Sequence, residues 1–148
     1  MFALIITVIS IALVAALAIA SIYYGGTAFS QGTAQAQGST IVNQAQQIGA
    51  GVTLYENDLG GTAPAAVSDL TPTYLQAIPT PPSSASGAYA LGSNATSVTV
   101  DVTSPNVCLA IDQSVDSAAT AISSSVSASL QYQCYGSAAP YAFQYDVG

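Results

Sequence analysis

The sequence predicts an α+β fold: a long N-terminal helix, apolar in its first half and amphipathic in its second, packed on a small antiparallel sheet. Three observations predict it. Residues 1–24 form an almost unbroken apolar run. Residues 41–59 place apolar side chains at spacings of four and three. The C-terminal part holds short alternating or Tyr-rich segments set off by Gly and Pro.

The apolar run reads MFALIITVISIALVAALAIASIYY. Only Thr7, Ser10 and Ser21 interrupt it, and each hydroxyl can bond back to a helix carbonyl. As a helix it spans about 36 Å, enough to cross a hydrocarbon core of about 30 Å. Tyr23 and Tyr24 stand where an interfacial aromatic belt would lie. Ala18-Ile19-Ala20 resembles a signal-cleavage tripeptide, but a secretory signal needs a basic stretch before its apolar core, and none is present. The expectation is a chain from which a basic leader has been removed, with Met1 as the processed N-terminus.

Beyond Gly25-Gly26 a Pro-free polar stretch leads to Asp58. Ile41, Ala45, Ile48, Val52, Tyr55 and Leu59 form one stripe of an amphipathic helix. Gly32, Gly38, Gly49 and Gly51 each cost such a helix about 1 kcal/mol relative to Ala. Gly60-Gly61 ends it. Residues 1–59 thus read as one helix, or as two collinear helices with a soft joint at Gly25-Gly26. Three regions follow: 1–26 apolar, 27–61 amphipathic, 62–148 a globular head.

The head opens on a Pro-, Ser- and Thr-rich loop, residues 62–87, anchored by Leu70, Tyr74, Leu75 and Ile78. A short helical turn is expected around Ser68-Asp69-Leu70. Ala88 to Leu91 is a short strand, Gly92-Ser93-Asn94 a turn, and Ser97 to Thr103 a half-buried strand with Val98, Val100 and Val102 on one face. Ser104-Pro105 starts a helix, with a hydroxyl N-cap and Pro at the first helical position, running to about residue 118. The Ser-rich run 123–129 is a loop. Leu130 to Tyr135 and Ala142 to Val147 are strands, and their tyrosines are packing residues.

Charge excludes more functions than any motif suggests. The chain has no Lys, Arg or His against seven carboxylates. It has no side-chain charge with which to grip nucleic acid or anionic lipid headgroups. It has neither a His-based metal site nor the His or Lys base that an activated nucleophile requires. No enzyme activity and no cofactor are expected. Glu56 with Asp58, or Asp112 with Asp116, could contribute to a calcium site, but no calcium-loop spacing is present, and solvated surface is the expectation for all seven. Asn94-Ala95-Thr96 matches the N-glycosylation acceptor pattern on a turn.

Cys108 and Cys134 allow one pairing, or remain two buried thiols. A disulfide closing about 27 residues would stabilise the fold by roughly 3–4 kcal/mol. It would also place the C-terminal half outside the cytoplasm.

An apolar helix running into an amphipathic one resembles type IV pilins and the pseudopilins of type II secretion. Three local patterns agree. Gln46 to Gly61, QQIGAGVTLYENDLGG, is similar to the family's helix end. Leu70 to Pro81, LTPTYLQAIPTP, resembles its loop of Leu, Tyr-Leu and Ile-Pro. Ser104-Pro105-Asn106-Val107-Cys108 followed by Cys134 is similar to its disulfide-bounded C-terminal region. The match covers nearly the whole chain.

The resemblance implies an extracellular filament of copies of this chain, anchored in the inner membrane before the pilus assembly machinery extracts it. It implies a processed, methylated N-terminus and a filament core of Met1, Phe2, Leu4, Ile5, Ile9, Leu13, Ala16, Leu17 and Ala20. Adhesion, motility or cell contact would be the work. Three departures stand out, the first being Ile22 in place of the family's frequent Pro, with Gly25-Gly26 nearby as a substitute for local unwinding. Ile5 occupies the position where the family carries Glu, which pairs with a neighbour's amine. Met1 replaces the common Phe, as in the type IVb branch. A minor pilin or pseudopilin, or a single-span anchor carrying a binding domain, are the alternatives.

Overall fold

A computed structural model describes residues 1–148. The chain is α+β: α1 (Phe2–Asp58), β1 (Ala85–Leu91), β2 (Ser97–Val102), α2 (Pro105–Val115), β3 (Tyr132–Tyr135) and β4 (Tyr141–Asp146), with 3-10 turns at Val67–Leu70 and Ser93–Ala95. It divides into two compact units, Met1–Thr33 and Ala34–Gly148.

In the first unit the helix continues through Gly25 and Gly26 without a break. Thr7 and Ser10 donate back to the carbonyls of Leu4 and Ile6, both at 2.8 Å, so these hydroxyls are satisfied inside the apolar run. Ser21 makes no such bond.

In the second unit, residues 34–58 of α1 pack on a four-stranded antiparallel sheet of order β1-β2-β4-β3. Ile41, Ala45, Ile48 and Val52 are fully buried, as the four-and-three spacing predicts. Tyr55 is half-buried, and Leu59 lies past the helix end and is 49% exposed, so the stripe stops one residue sooner than expected. Gly60 and Gly61 adopt φ values of +64° and +88°, open only to residues tolerant of the left-handed region.

The sheet face turned to α1 follows from register. Val98, Val100 and Val102 of β2 stand opposite Tyr145, Phe143 and Tyr141 of β4. Tyr145 and Phe143 in turn stand opposite Tyr132 and Cys134 of β3. Directly opposed residues share a face, so one layer of Val, Tyr, Phe and Cys meets the α1 stripe. Phe143, Val98 and Val102 are fully buried.

β1 starts at Ala85, three residues before the expected start. Ala85 and Ser86 pair with Val102 and Asp101, but Ala90 and Leu91 pair with Thr99 and Val98. Gly87, Ala88 and Tyr89 therefore oppose Val100 alone. This bulge needs Gly87 at φ +79°. It turns Tyr89 inward, where its hydroxyl donates to Oε1 of Gln44 at 2.7 Å.

Two helix-end expectations are corrected. Ser104 is extended and takes the N-cap position, but its hydroxyl makes no capping bond. α2 ends at Val115, not at 118: Asp116 leaves the helical region at φ −125°, ψ 100°. The Asp116 carboxylate then accepts the N–H of Ala118 at 3.0 Å, a local turn that competes with another helical turn. β3 begins at Tyr132, not at Leu130.

Candidate functional site

Three features could carry function: the apolar first unit, the disulfide-bounded region and a groove on the head. In Met1–Thr33 every residue is exposed. The residues expected to form a filament core show it plainly: Met1 is 106%, Phe2 83% and Leu13 61% exposed. Leu4, Ile5, Ile9, Ala16, Leu17 and Ala20 are exposed as well. None of the most apolar stretch of α1 is buried by the rest of the chain, and it is long and apolar enough to cross a membrane. Covering a Leu, Ile or Phe is worth about 1.5–3 kcal/mol. For those exposed between Phe2 and Ile22, the total is on the order of 20 kcal/mol, more than the stability of an ordinary domain. Lipid or protein around this surface would recover that free energy. No acidic residue occurs in its first turn, where Ile5 stands.

Cys108 of α2 and Cys134 of β3 form a disulfide, with Cα atoms 5.3 Å apart and both residues fully buried. A second tie lies one helical turn on. Oδ1 of Asp112 accepts the backbone N–H of Cys134 at 2.8 Å. Cys134 is thus held covalently by Cys108 and electrostatically by Asp112, both on one face of α2. Burial pushes the Asp112 carboxyl above the usual carboxylate range, and the Cys134 N–H opposes that rise. Asp112 is therefore a structural acceptor, not the solvated surface expected of it. The bond also occupies an N–H on the outer edge of the sheet. At the end of that edge the Ser-rich segment adds a bridge: Ser123 pairs with Tyr135 and its carbonyl accepts the N–H of Gly136 at 2.8 Å. The side chain of Gln133, on the sheet face away from α1, is buried and reaches the carbonyl of Ser125 at 3.4 Å. The loop closes the end of an edge that would otherwise pair with another chain.

Asp58, Asp69, Asp116 and Asp146 have local partners, whereas no hydrogen bond reaches the carboxylates of Glu56 or Asp101. Asp58 accepts the Tyr74 hydroxyl at 2.8 Å, and Asp69 accepts the N–H groups of Ala65 and Ala66, both at 3.0 Å. No three Asp, Glu, Cys or His side chains converge as a metal site would need. Asn94 is exposed at φ 55°, ψ 28°, a left-handed conformation that Asn tolerates. The hydroxyl of Thr96 in the same triplet donates to the Ser93 carbonyl at 3.0 Å.

A groove of about 520 Å³ runs along the head between α1 and α2. Gln35, Ser39, Asn43 and Gln46 follow each other along one face of α1. Gln113, Ser114 and Tyr132 stand opposite. Val42 and Ile111, both buried, form its apolar floor. Gly38 lies there because α2 comes close: a Cβ on it would be 3.1 Å from Cγ1 of Ile111. The sequence shows the groove only as a polar face repeating every three to four residues beside the buried stripe. That face reads as ordinary surface until α2 is placed beside it.

Comparison with family models, curated proteins and solved structures found no match.

Proposed function

We propose that this chain is a structural subunit of a type IV pilus-like filament. Its apolar helix would serve as a membrane anchor before assembly and as filament core afterwards. One observation carries the reading: Met1–Thr33 is helical, apolar and exposed at every residue, while the same helix continues into a closed, disulfide-bonded α+β head. A helix apolar on all sides must be covered by lipid or by other helices. Ala12, Ala15, Ala16, Ala18 and Ala20 allow helices to approach closely without a water-driven force. The disulfide belongs in an oxidising compartment, in keeping with an extracellular head. In such a filament the absence of a carboxylate at Ile5 leaves apolar packing to hold the subunits, and spares the core an acid that would need a partner.

A second reading is a single-span anchor carrying a small binding domain. The neutral groove on the head favours it.

Electron microscopy of the sheared cell-surface fraction, with mass spectrometry of its subunit, tests the first reading. Thin filaments made of this chain are expected. Leu13→Asp or Ala16→Asp is expected to abolish them while the head keeps its disulfide and its circular dichroism. Wild-type filament yield in either variant would remove the apolar helix from the core. A chain that stays monomeric in the membrane fraction would favour the anchored domain.

A further inference from the structure

The groove between α1 and α2 has a chemistry of its own. Its volume of about 520 Å³ falls in the range of small-molecule clefts. No charged residue lines it. The side-chain amides of Gln35, Asn43 and Gln46 line one wall. Gln44, between them in sequence, shows what an amide with a structural task looks like: its Nε2 donates to the Thr80 carbonyl at 3.0 Å and its Oε1 accepts from Tyr89 at 2.7 Å. Gln35, Asn43 and Gln46 make no bond of that kind. On the facing wall the Ser114 hydroxyl donates to the Ile111 carbonyl at 2.6 Å and accepts from the Tyr132 hydroxyl at 3.2 Å, which leaves the free lone pairs of these oxygens for a ligand. Gln113 donates to the Ala119 carbonyl at 3.1 Å, which leaves its oxygen free.

We propose that this groove binds a neutral saccharide. Each side-chain amide offers a donor and an acceptor side by side. Two adjacent sugar hydroxyls offer the same pair. Half-buried Tyr132 presents an aromatic face to the C–H face of a sugar ring, above the buried Val42 and Ile111. Ligand charge is selected by what is missing. No Lys, Arg or His exists to meet an anion, and the net charge of −7 repels one. No carboxylate lines the groove to meet a cation. A neutral polyol is the class left. All these residues lie within Ala34–Gly148, so the inference does not rest on the filament reading.

The test uses the full chain in a zwitterionic detergent, because glucoside and maltoside detergents would themselves compete. Isotope-labelled chain is titrated with glucose, galactose, N-acetylglucosamine and their disaccharides, and with glucuronate as the anionic control. Side-chain amide signals of Gln35, Asn43, Gln46 and Gln113 are followed by nuclear magnetic resonance. Saturable shifts are expected for at least one neutral sugar, with a Kd of about 1–10 mM, as a few neutral hydrogen bonds in an open cleft supply. Glucuronate should bind more weakly than its neutral counterpart. The double variant Asn43→Leu, Gln46→Leu changes two exposed positions and should bind at least about tenfold more weakly. Absence of saturable shifts with every neutral sugar, or unchanged affinity in the double variant, would overturn the proposal. So would groove signals that move only when the chain self-associates, which would give the groove to a neighbouring subunit. Filaments from a chain that binds no sugar would leave the function proposed above standing and this inference alone refuted.

Discussion

Gly49 lies on the buried stripe of α1, where a Cβ would come 2.8 Å from Cε1 of Tyr145 and 3.5 Å from Cγ2 of Val147. Gly51 faces Cγ of Leu75 at 3.2 Å in the same sense. These glycines let the helix sit close on the sheet and the loop. Gly49→Ala gains helix propensity of up to about 1 kcal/mol, but it pushes a ring held in the core layer, which typically costs 1–3 kcal/mol. With the full propensity gain, a net loss of up to about 2 kcal/mol is expected in chemical unfolding. Gly32→Ala meets nothing within 4 Å and should show only the propensity gain. In the sequence alone both positions read as the same cost, because propensity is local and the close approach is not. Asp112 was equally hidden. As one of seven acids it looked like surface, and only the closeness of β3 to α2 makes it the acceptor for Cys134. Asp112→Ala leaves that buried N–H unpaired and should cost about 1–3 kcal/mol, measured the same way. Asp112→Asn retains a carbonyl acceptor and should cost less.

Periodicity made the elements legible. The four-and-three stripe placed α1, and the alternating valines placed β2 with the correct inward face. The aromatic segments placed β3 and β4, and the two cysteines found their partner. Boundaries failed where a side chain or a bulge decided them. Asp116 stopped α2 by taking the N–H of Ala118, and Gly87 let β1 begin before the visible alternation. The order β1-β2-β4-β3 was not legible, since α2 and the Ser-rich loop separate β2 from its partner β4. The groove was missed for the same reason, as it exists only once α2 returns beside α1. At this scale the disulfide is the tie between α2 and the sheet. Its residues are 26 apart, and a loop of that length predicts about 3–4 kcal/mol lost in the double variant Cys108→Ser, Cys134→Ser. The loss should appear as a lower urea midpoint. Asp112 still holds Cys134 from α2, so the variant should unfold more easily without losing the sheet. An unchanged midpoint would mean that the disulfide adds nothing to the Asp112 bond and the packing that hold α2 on β3.

At the scale of the molecule, the absence of Lys, Arg and His shapes the response to pH. Ordinary proteins unfold in acid as carboxylates neutralise and the remaining side-chain cations repel one another. Here no side chain becomes positive at any pH, so acidification removes the negative charges and leaves the N-terminal amine as the only cation, with no second positive charge to repel it. Asp112 acts in the same direction. Its carboxyl is raised in the fold by burial, so the folded state takes up the proton before the unfolded state does. Stability therefore increases as pH falls through the folded value towards the ordinary 3.8, and that gain is lost as pH rises again. The alkaline side is different. Burial pushes the Tyr89 hydroxyl from 10.0 up to about 12, so the fold favours its neutral form. That stabilisation is complete below pH 10 and is lost as pH rises from 10 towards 12. Half-buried Tyr74 is also raised, chiefly by its surface hydrogen bond to Asp58, and adds little because solvent screens that bond. Urea midpoints across pH should therefore hold or rise from neutral down to about pH 3 and fall steeply above pH 10. Tyr89→Phe separates the two limbs. It removes the bond to Gln44 and should cost about 1 kcal/mol at neutral pH, yet its midpoint should decline less above pH 10 than that of the parent. A steep acid limb in the parent, or an equally steep alkaline limb in Tyr89→Phe, would show that groups other than Tyr89 and Asp112 govern the pH dependence of the head.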